Sequence, residues 1–192
     1  MYCTRKITDA VTWVGGCDRR LSLFENLFPV PSGVAYNSYL ILDEKTALLD
    51  TVDASISRQF LENVLHTLDS RPLDYLVINH MEPDHCANIS ELLLRFPGLK
   101  IVGNAKTLTF IRQFYDMDLE GRTITVKEKD TLPLGRHTLH FYLTPMVHWP
   151  EVMMTYEESE NILFSADAFG CFGALNGNIF IDELDYTQDW LG

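Results

Sequence analysis

The sequence predicts an α/β domain with α+β layering and mixed sheets, on three observations. Short apolar runs bounded by Gly, Pro, Asn or Asp recur along the whole chain, which is the mark of strands. Apolar residues at helical spacing separate these runs in the middle of the chain, and strands dominate again towards its end. A length of 192 residues with 46% hydrophobic content suffices for one domain with a sizeable core.

Taken in order, Thr12–Gly15 and Tyr36–Leu42 read as early strands, separated by a turn-rich stretch around Pro29, Pro31 and Gly33. Ala47–Leu49 is a further short strand. Ser55 can cap a helix whose apolar face is Ile56, Phe60, Val64 and Leu68, stopped by Pro72. Tyr75–Asn79 is a buried strand. Asp84 or Asn88 opens a helix containing Ile89, Leu92, Leu93 and Phe96, ended by Pro97-Gly98. Ile101–Gly103 is a strand, and Asn104 caps a helix of Leu108, Ile111, Phe114 and Tyr115. Strands follow at Thr123–Lys127, Thr138–Thr144, Val152–Glu157 and Asn161–Ser165, the last two joined as a hairpin by Glu158-Ser159-Glu160.

Composition narrows the function. The chain has 27 acidic against 15 basic residues, a formal charge of −12. Nucleic acid is therefore not expected as a partner, since phosphates need a basic face. No basic segment followed by an apolar one opens the chain, and no apolar run approaches the ~20 residues that span a bilayer. A cytoplasmic protein without membrane contact is expected. Cys3, Cys17, Cys86 and Cys171 form no Cys-x-x-Cys pair and read as free thiols.

The stretch His80-Met81-Glu82-Pro83-Asp84-His85 carries the chemistry. It gathers two imidazoles and two carboxylates within six positions, directly after a buried strand. Crowded carboxylates repel and lose hydration, and a pair of cations offsets both penalties. Two later residues also stand at strand ends, His148 after Thr138–Thr144 and Asp167 after Asn161–Ser165. The six candidates divide into His80, Glu82 and His148 around one metal and Asp84 and His85 around another, with Asp167 able to bridge. Metals in such pairs lie about 3.5–4 Å apart. Histidines with carboxylates suit non-haem iron. Cys86 adjoins this stretch, which already offers four better-placed groups.

His-x-Glu-x-Asp-His, a later histidine and a strand-end aspartate together resemble the metallo-β-lactamase superfamily, and more narrowly the di-iron domain of flavodiiron proteins. Tyr36-Asn37-Ser38-Tyr39-Leu40-Ile41, Pro145-Met146-Val147-His148-Trp149-Pro150 and Ser165-Ala166-Asp167-Ala168-Phe169-Gly170 carry the same resemblance. It covers essentially the whole chain. It implies an αββα sandwich, residues 1–192 being one such domain, C-terminally incomplete. It implies two irons, the first on His80, Glu82 and His148, the second on Asp84 and His85, with Asp167 bridging. The family's second iron takes a further histidine, from a segment downstream of where this sequence stops. Nothing here resembles the family's FMN-binding flavodoxin domain, so the chain reads as the front part of a longer protein.

The activity implied is reduction of dioxygen to water or of nitric oxide to nitrous oxide. Two ferrous ions supply only two of the four electrons that water formation needs, so FMN on a missing or separate domain is expected as the second store. The resemblance also implies an FMN-containing or rubredoxin-like electron donor and a homodimer in which flavin meets iron across subunits, with Trp149 as a candidate flavin contact. The alternatives are an inactive truncated domain or a zinc-dependent hydrolase of the same superfamily, which would normally carry histidine in place of Glu82.

Simpler roles are expected for the remaining candidates. His66 belongs to an amphipathic helix. His137 and His140 sit on or beside a strand, as surface or hydrogen-bonded residues, yet are the only spare imidazoles for the second metal. Asp50 and Asp53 read as turn or helix-capping residues. Glu157, Glu158 and Glu160 read as solvated hairpin charges. If the sandwich is incomplete, the chain self-associates or is partly disordered near Ile179–Gly192.

Overall fold

A computed structural model of the chain describes residues 2–183. In chain order the strands are β1 (Arg5–Lys6), β2 (Val11–Trp13), β3 (Gly16–Asp18), β4 (Leu23–Phe24), β5 (Phe28–Pro29), β6 (Val34–Tyr36), β7 (Tyr39–Leu42) and β8 (Thr46–Leu49). Helix α1 (Ser57–Leu68) leads to β9 (Tyr75–Val77), α2 (Pro83–Cys86), α3 (Ile89–Arg95), β10 (Lys100–Asn104), α4 (Ala105–Phe114) and β11 (Thr123–Val126). Strands β12 (Thr131–Pro133), β13 (Thr138–Leu143), β14 (Met153–Glu157) and β15 (Ile162–Phe164) complete the regular elements before a short 3-10 turn at Ile181–Glu183.

Seven strands form one mixed sheet in the order β1-β2-β7-β8-β9-β10-β11, antiparallel up to β8 and parallel from β8 to β11. The second sheet, β12-β13-β14-β15, is antiparallel throughout. The pairs β3–β6 and β4–β5 are separate two-stranded ribbons. Two apolar layers hold the stack together. One packs Phe60, Val64 and Leu68 of α1, Leu92 of α3 and Leu108 and Ile111 of α4 on Leu40, Leu48, Leu76 and Ile101 of the first sheet. The other lies between the sheets, where Ile41, Leu49, Val77 and Val102 meet Leu139, Phe141, Met153 and Phe164. Both faces of the parallel strands are thus covered, which explains their continuous apolar runs. In β13, by contrast, Leu139 and Phe141 are buried and alternate with the half-buried Thr138 and His140. The described residues form an α/β/β stack, and Tyr142 and Leu163 of the second sheet are exposed.

Several local expectations change. The run Tyr36–Leu42 breaks because Asn37 accepts a bond from Trp13 Nε1 (3.0 Å) and Ser38 Oγ donates to Asp50 O (2.9 Å). Ser55 is not the cap before α1; Asp53 accepts from Ser55 N (2.8 Å) and opens a 3-10 turn that runs into the helix. The helix expected from Asp84 or Asn88 is two short ones, since Asn88 turns its amide to Val52 O (2.6 Å). Asn104 does cap α4, accepting from Lys106 N and Thr107 N at 2.9 and 3.1 Å. The 3-10 turn, part of Ile179–Gly192, is held where Glu183 accepts Ile179 N and Phe180 N and pairs with Arg5. Residues 184–192, the rest of that stretch, lie outside the described residues.

Glu157 is no solvated charge. It is fully buried and accepts Ser159 N and Glu160 N, both at 2.8 Å, clamping the β14–β15 turn. His137 is buried too, 2.8 Å from Asp43 Oδ2 through Nδ1 and 3.6 Å from Glu160 Oε1 through Nε2. Gly135 permits this approach, because a Cβ there would stand 2.7 Å from Asp43 Oδ1. Three turns at one end of the sandwich are therefore joined by polar contacts.

Phe141→Ala is expected to lower stability by about 3–5 kcal/mol, the usual penalty for emptying a fully buried aromatic site, read from denaturant midpoints. Buried Asp18 is gripped by the Arg20 guanidinium through both carboxylate oxygens, each at 3.0 Å, which lowers its pKa from 3.8 to about 2. A depressed carboxylate stabilises above its unfolded pKa and loses that contribution as pH falls through the folded one. The stability gap between wild type and Asp18→Asn should therefore be full at neutral pH and shrink between about pH 4 and pH 2.

Candidate metal centre

The site lies at the C-terminal ends of the parallel strands, where ligands gather in open α/β sheets. β8 runs into Asp50, which turns at φ 55°. β9 runs into Asn79 and His80 and then, through Met81, into Glu82, Asp84 and His85 of α2. The connection from β13 to β14 brings His148 and Glu151, and a turn after β15 brings Asp167. Asn79 binds these pieces together. Its N–H donates to Asp50 Oδ1 (2.6 Å), its carbonyl accepts Met153 N (3.0 Å) and its side-chain oxygen accepts Thr155 Oγ1 (2.7 Å).

Four donor atoms, from His80, Glu82, His148 and Asp167, lie within 4.8 Å of one another. His80 Nε2 is 3.1 Å from Glu82 Oε2 and 3.4 Å from Asp167 Oδ2, and His148 Nε2 is 3.1 and 3.2 Å from the same two oxygens. Tetrahedral donors at about 2.0–2.1 Å from one ion would be about 3.3 Å apart, so the spacing fits a transition-metal ion. Each of the two oxygens faces two imidazole nitrogens, an arrangement that needs protons or a cation at its centre.

A second cluster shares Asp167. Its Oδ1 is 2.6 Å from His85 Nε2, while Asp84 Oδ2 is 3.9 Å from that nitrogen. Asp84 Oδ1 is buried without a hydrogen-bond partner. The two oxygens of Asp167 thus face the two clusters separately. All six sequence candidates come together in this way, from three separate segments of the chain.

The electrostatics follow from crowding. Burial works against a charged His80, but hydrogen bonds to Glu151 and Glu82 outweigh it and raise its pKa to about 9. His85 goes well above its usual value, since Asp167 and Asp50 likewise overcome burial. Burial raises Asp84 to about 6, opposed by His85 and reinforced by Glu82 and Asp167. Asp167 falls to about 2, with His85 as the chief group overcoming its burial. His80 and His85 thus favour positive charge where the carboxylates converge.

Sequence reasoning missed three carboxylates here. Asp50 reads in the sequence as a turn or helix-capping residue, yet its Oδ2 is 3.2 Å from His85 Nδ1. Glu151 carries no motif of its own in the sequence, yet its Oε1 is 2.8 Å from His80 Nδ1. Glu25, at φ 50° on the tip of the β4–β5 hairpin, lies against Glu82, and burial followed by that neighbour raises its pKa. Their only sequence signal was placement: Asp50 ends a strand as Asp167 does, and Glu151 follows His148 by three positions. Cys86 points away, donating from Sγ to Met81 O (3.2 Å). His137 is engaged by Asp43, and His140 pairs with Glu158 (3.1 Å), so neither serves as the spare imidazole. Trp149 stands edge-on to His80 at 5.3 Å between ring centroids. His66 stacks on Tyr2 at 3.8 Å.

The chain is 40% identical to the anaerobic nitric oxide reductase flavorubredoxin of Pectobacterium atrosepticum over 96% of its own length and 36% of that protein's. Its fold is similar to rubredoxin:oxygen oxidoreductase from Desulfovibrio gigas (TM-score 0.89, 34% identity), covering 96% of this chain and 45% of that one. It is similar also to the flavodiiron protein from Giardia intestinalis (TM-score 0.88, 30% identity), covering 96% and 44%. The chain therefore spans less than half the length of these relatives. These neighbours share the metallo-β-lactamase-like architecture that the sequence implied. The model of the ODP family beta lactamases matches residues 34–190, and the chain belongs to that family.

Proposed function

We propose that residues 1–192 are a metallo-β-lactamase-like domain that holds two non-haem irons and serves a flavodiiron-type oxidoreductase, reducing dioxygen to water or nitric oxide to nitrous oxide. The observation that carries this reading is Asp167, whose two oxygens face two separate donor clusters. His80, Glu82 and His148 would hold one iron, Asp84 and His85 the other, with Asp167 between them. The relatives named for nitric oxide and oxygen reduction support the choice of substrates. When bound, the irons would supply two electrons per cycle, and FMN on a separate domain or chain would supply the rest for dioxygen. A rubredoxin-like donor, a homodimer and a cytoplasmic setting belong to the same proposal. No helix among the described residues is long and apolar enough to cross a membrane.

The chain's own residues would bind and shield. Glu82 and Asp167 contribute negative charge that draws cations into a largely buried site. The fully buried His80 contributes rigidity. His148, with 57% of its side chain exposed, marks the open side, where small molecules would enter. Met146, Val147 and Phe169 are exposed within two positions of His148 or Asp167 in the chain and would give that side an apolar rim suited to diatomic gases. Trp149, packed edge-on against both His80 and His148, is the candidate for flavin contact.

Two measurements test this reading. The chain reconstituted anaerobically with ferrous iron should fill the His80, Glu82 and His148 position first and the Asp84 and His85 position more weakly, and should reoxidise when exposed to dioxygen or nitric oxide. Retention of zinc alone, with hydrolysis of a thioester or lactam, would instead establish the zinc hydrolase. Asp84→Asn should lose one metal equivalent while raising the melting temperature of the metal-free protein at neutral pH, because it removes a crowded charge with an unpartnered oxygen. A metal-free variant less stable than wild type would contradict the account of crowding.

A further inference from the structure

Glu151 is 1% exposed, far from the usual setting of a glutamate. Its Oε1 accepts Met81 N–H (2.9 Å) and meets His80 Nδ1 (2.8 Å), while Oε2 is buried with no partner. Its backbone carbonyl is fixed by Asn104 Nδ2 (2.6 Å). An oxygen that already accepts a backbone N–H takes a second bond as an acceptor, so His80 Nδ1 carries the proton. The Nε2 of His80 is then left to face Glu82 Oε2 and Asp167 Oδ2. A buried carboxylate with one idle oxygen is costly unless its charge does something, and the imidazole it touches faces the metal position directly.

We infer that Glu151 is a positioning residue for the metal centre, fixing His80 as an Nε2 ligand and strengthening that nitrogen as a donor. The inference rests on the two-metal reading above. Carboxylates behind metal-bound histidines orient the ring and raise its basicity in just this geometry. Glu151 also shares the connection between β13 and β14 with His148, so one loop supplies a ligand and the group that orients another. A merely structural role would need only an acceptor for Met81 N–H, and Glu151→Gln keeps one.

The test loads wild type, Glu151→Gln and Glu151→Ala with cobalt(II) and measures affinity by chelator competition, visible absorption of the bound ion, and thermal stability. Proton–nitrogen correlation spectra of the zinc-loaded proteins report which nitrogen of His80 carries hydrogen. The expected result is a 10–100-fold loss of affinity in Glu151→Ala with an altered cobalt spectrum. Glu151→Gln should fold as wild type does, keep the His80 Nδ1–H and still bind more weakly. Wild-type affinity and spectrum in both variants, even with lowered stability, would overturn the inference alone. A wild-type chain that takes up no cobalt would overturn the metal reading and this inference with it.

Discussion

The carboxylates of Asp50, Glu82, Asp84, Glu151 and Asp167 converge on three imidazoles at one end of the sandwich, and this concentration of buried charge governs the rest of the structure. Two like charges 4 Å apart repel by about 4 kcal/mol in a typical protein environment, several times the net value of a hydrogen bond. Such a cluster is kept together by positive charge at its centre and by a frame stiff enough to resist spreading. His80 and His85, driven towards their charged forms, supply part of the first.

The frame comes from where the two sheets meet. Parallel strands β8, β9 and β10 end side by side, and their last residues turn sharply instead of continuing. Asn79 ties the end of β9 to Asp50 on one side and to β14 on the other, so the ligand-bearing connections of both sheets share one anchor. The apolar layer between the sheets, centred on Phe141 and Met153, keeps that anchor dry. His80 inherits this rigidity. His148, on an exposed connection, does not, and the difference gives the site a fixed floor and an accessible wall.

This distribution explains what was legible in the sequence. Strand ends and the dense His80–His85 stretch stand out because metal chemistry demands particular residue types close together. The continuous apolar runs of the parallel strands and the Asn104 cap were equally readable, since both are local. Asp50 and Glu151 were not, because a carboxylate that orients a ligand is recognised only by what lies 2.8–3.2 Å away across the fold. Glu157 looked like a surface charge for the same reason, its partners being backbone amides of a turn whose burial depends on neighbouring strands. The ribbons β3–β6 and β4–β5 escaped notice because two- and three-residue strands carry too little periodicity to register.

Glu82 links charge to the choice of metal. Glu82, Asp84 and Asp167 are the three anionic residues among the six proposed ligands, so two divalent ions would leave the centre with a net charge of about +1 and two trivalent ions about +3. A neutral histidine in place of Glu82 would add one to each figure. In a site where burial opposes net charge, that extra unit weighs more heavily on the oxidised pair, because repulsion grows faster than linearly with charge. Glutamate at this position therefore lowers the penalty for oxidation, which matters for a metal that changes valence and not for zinc, which does not. The same argument explains why Glu82 bonds to both His80 and His148: its charge is spread where the proposed oxidation would raise positive charge most.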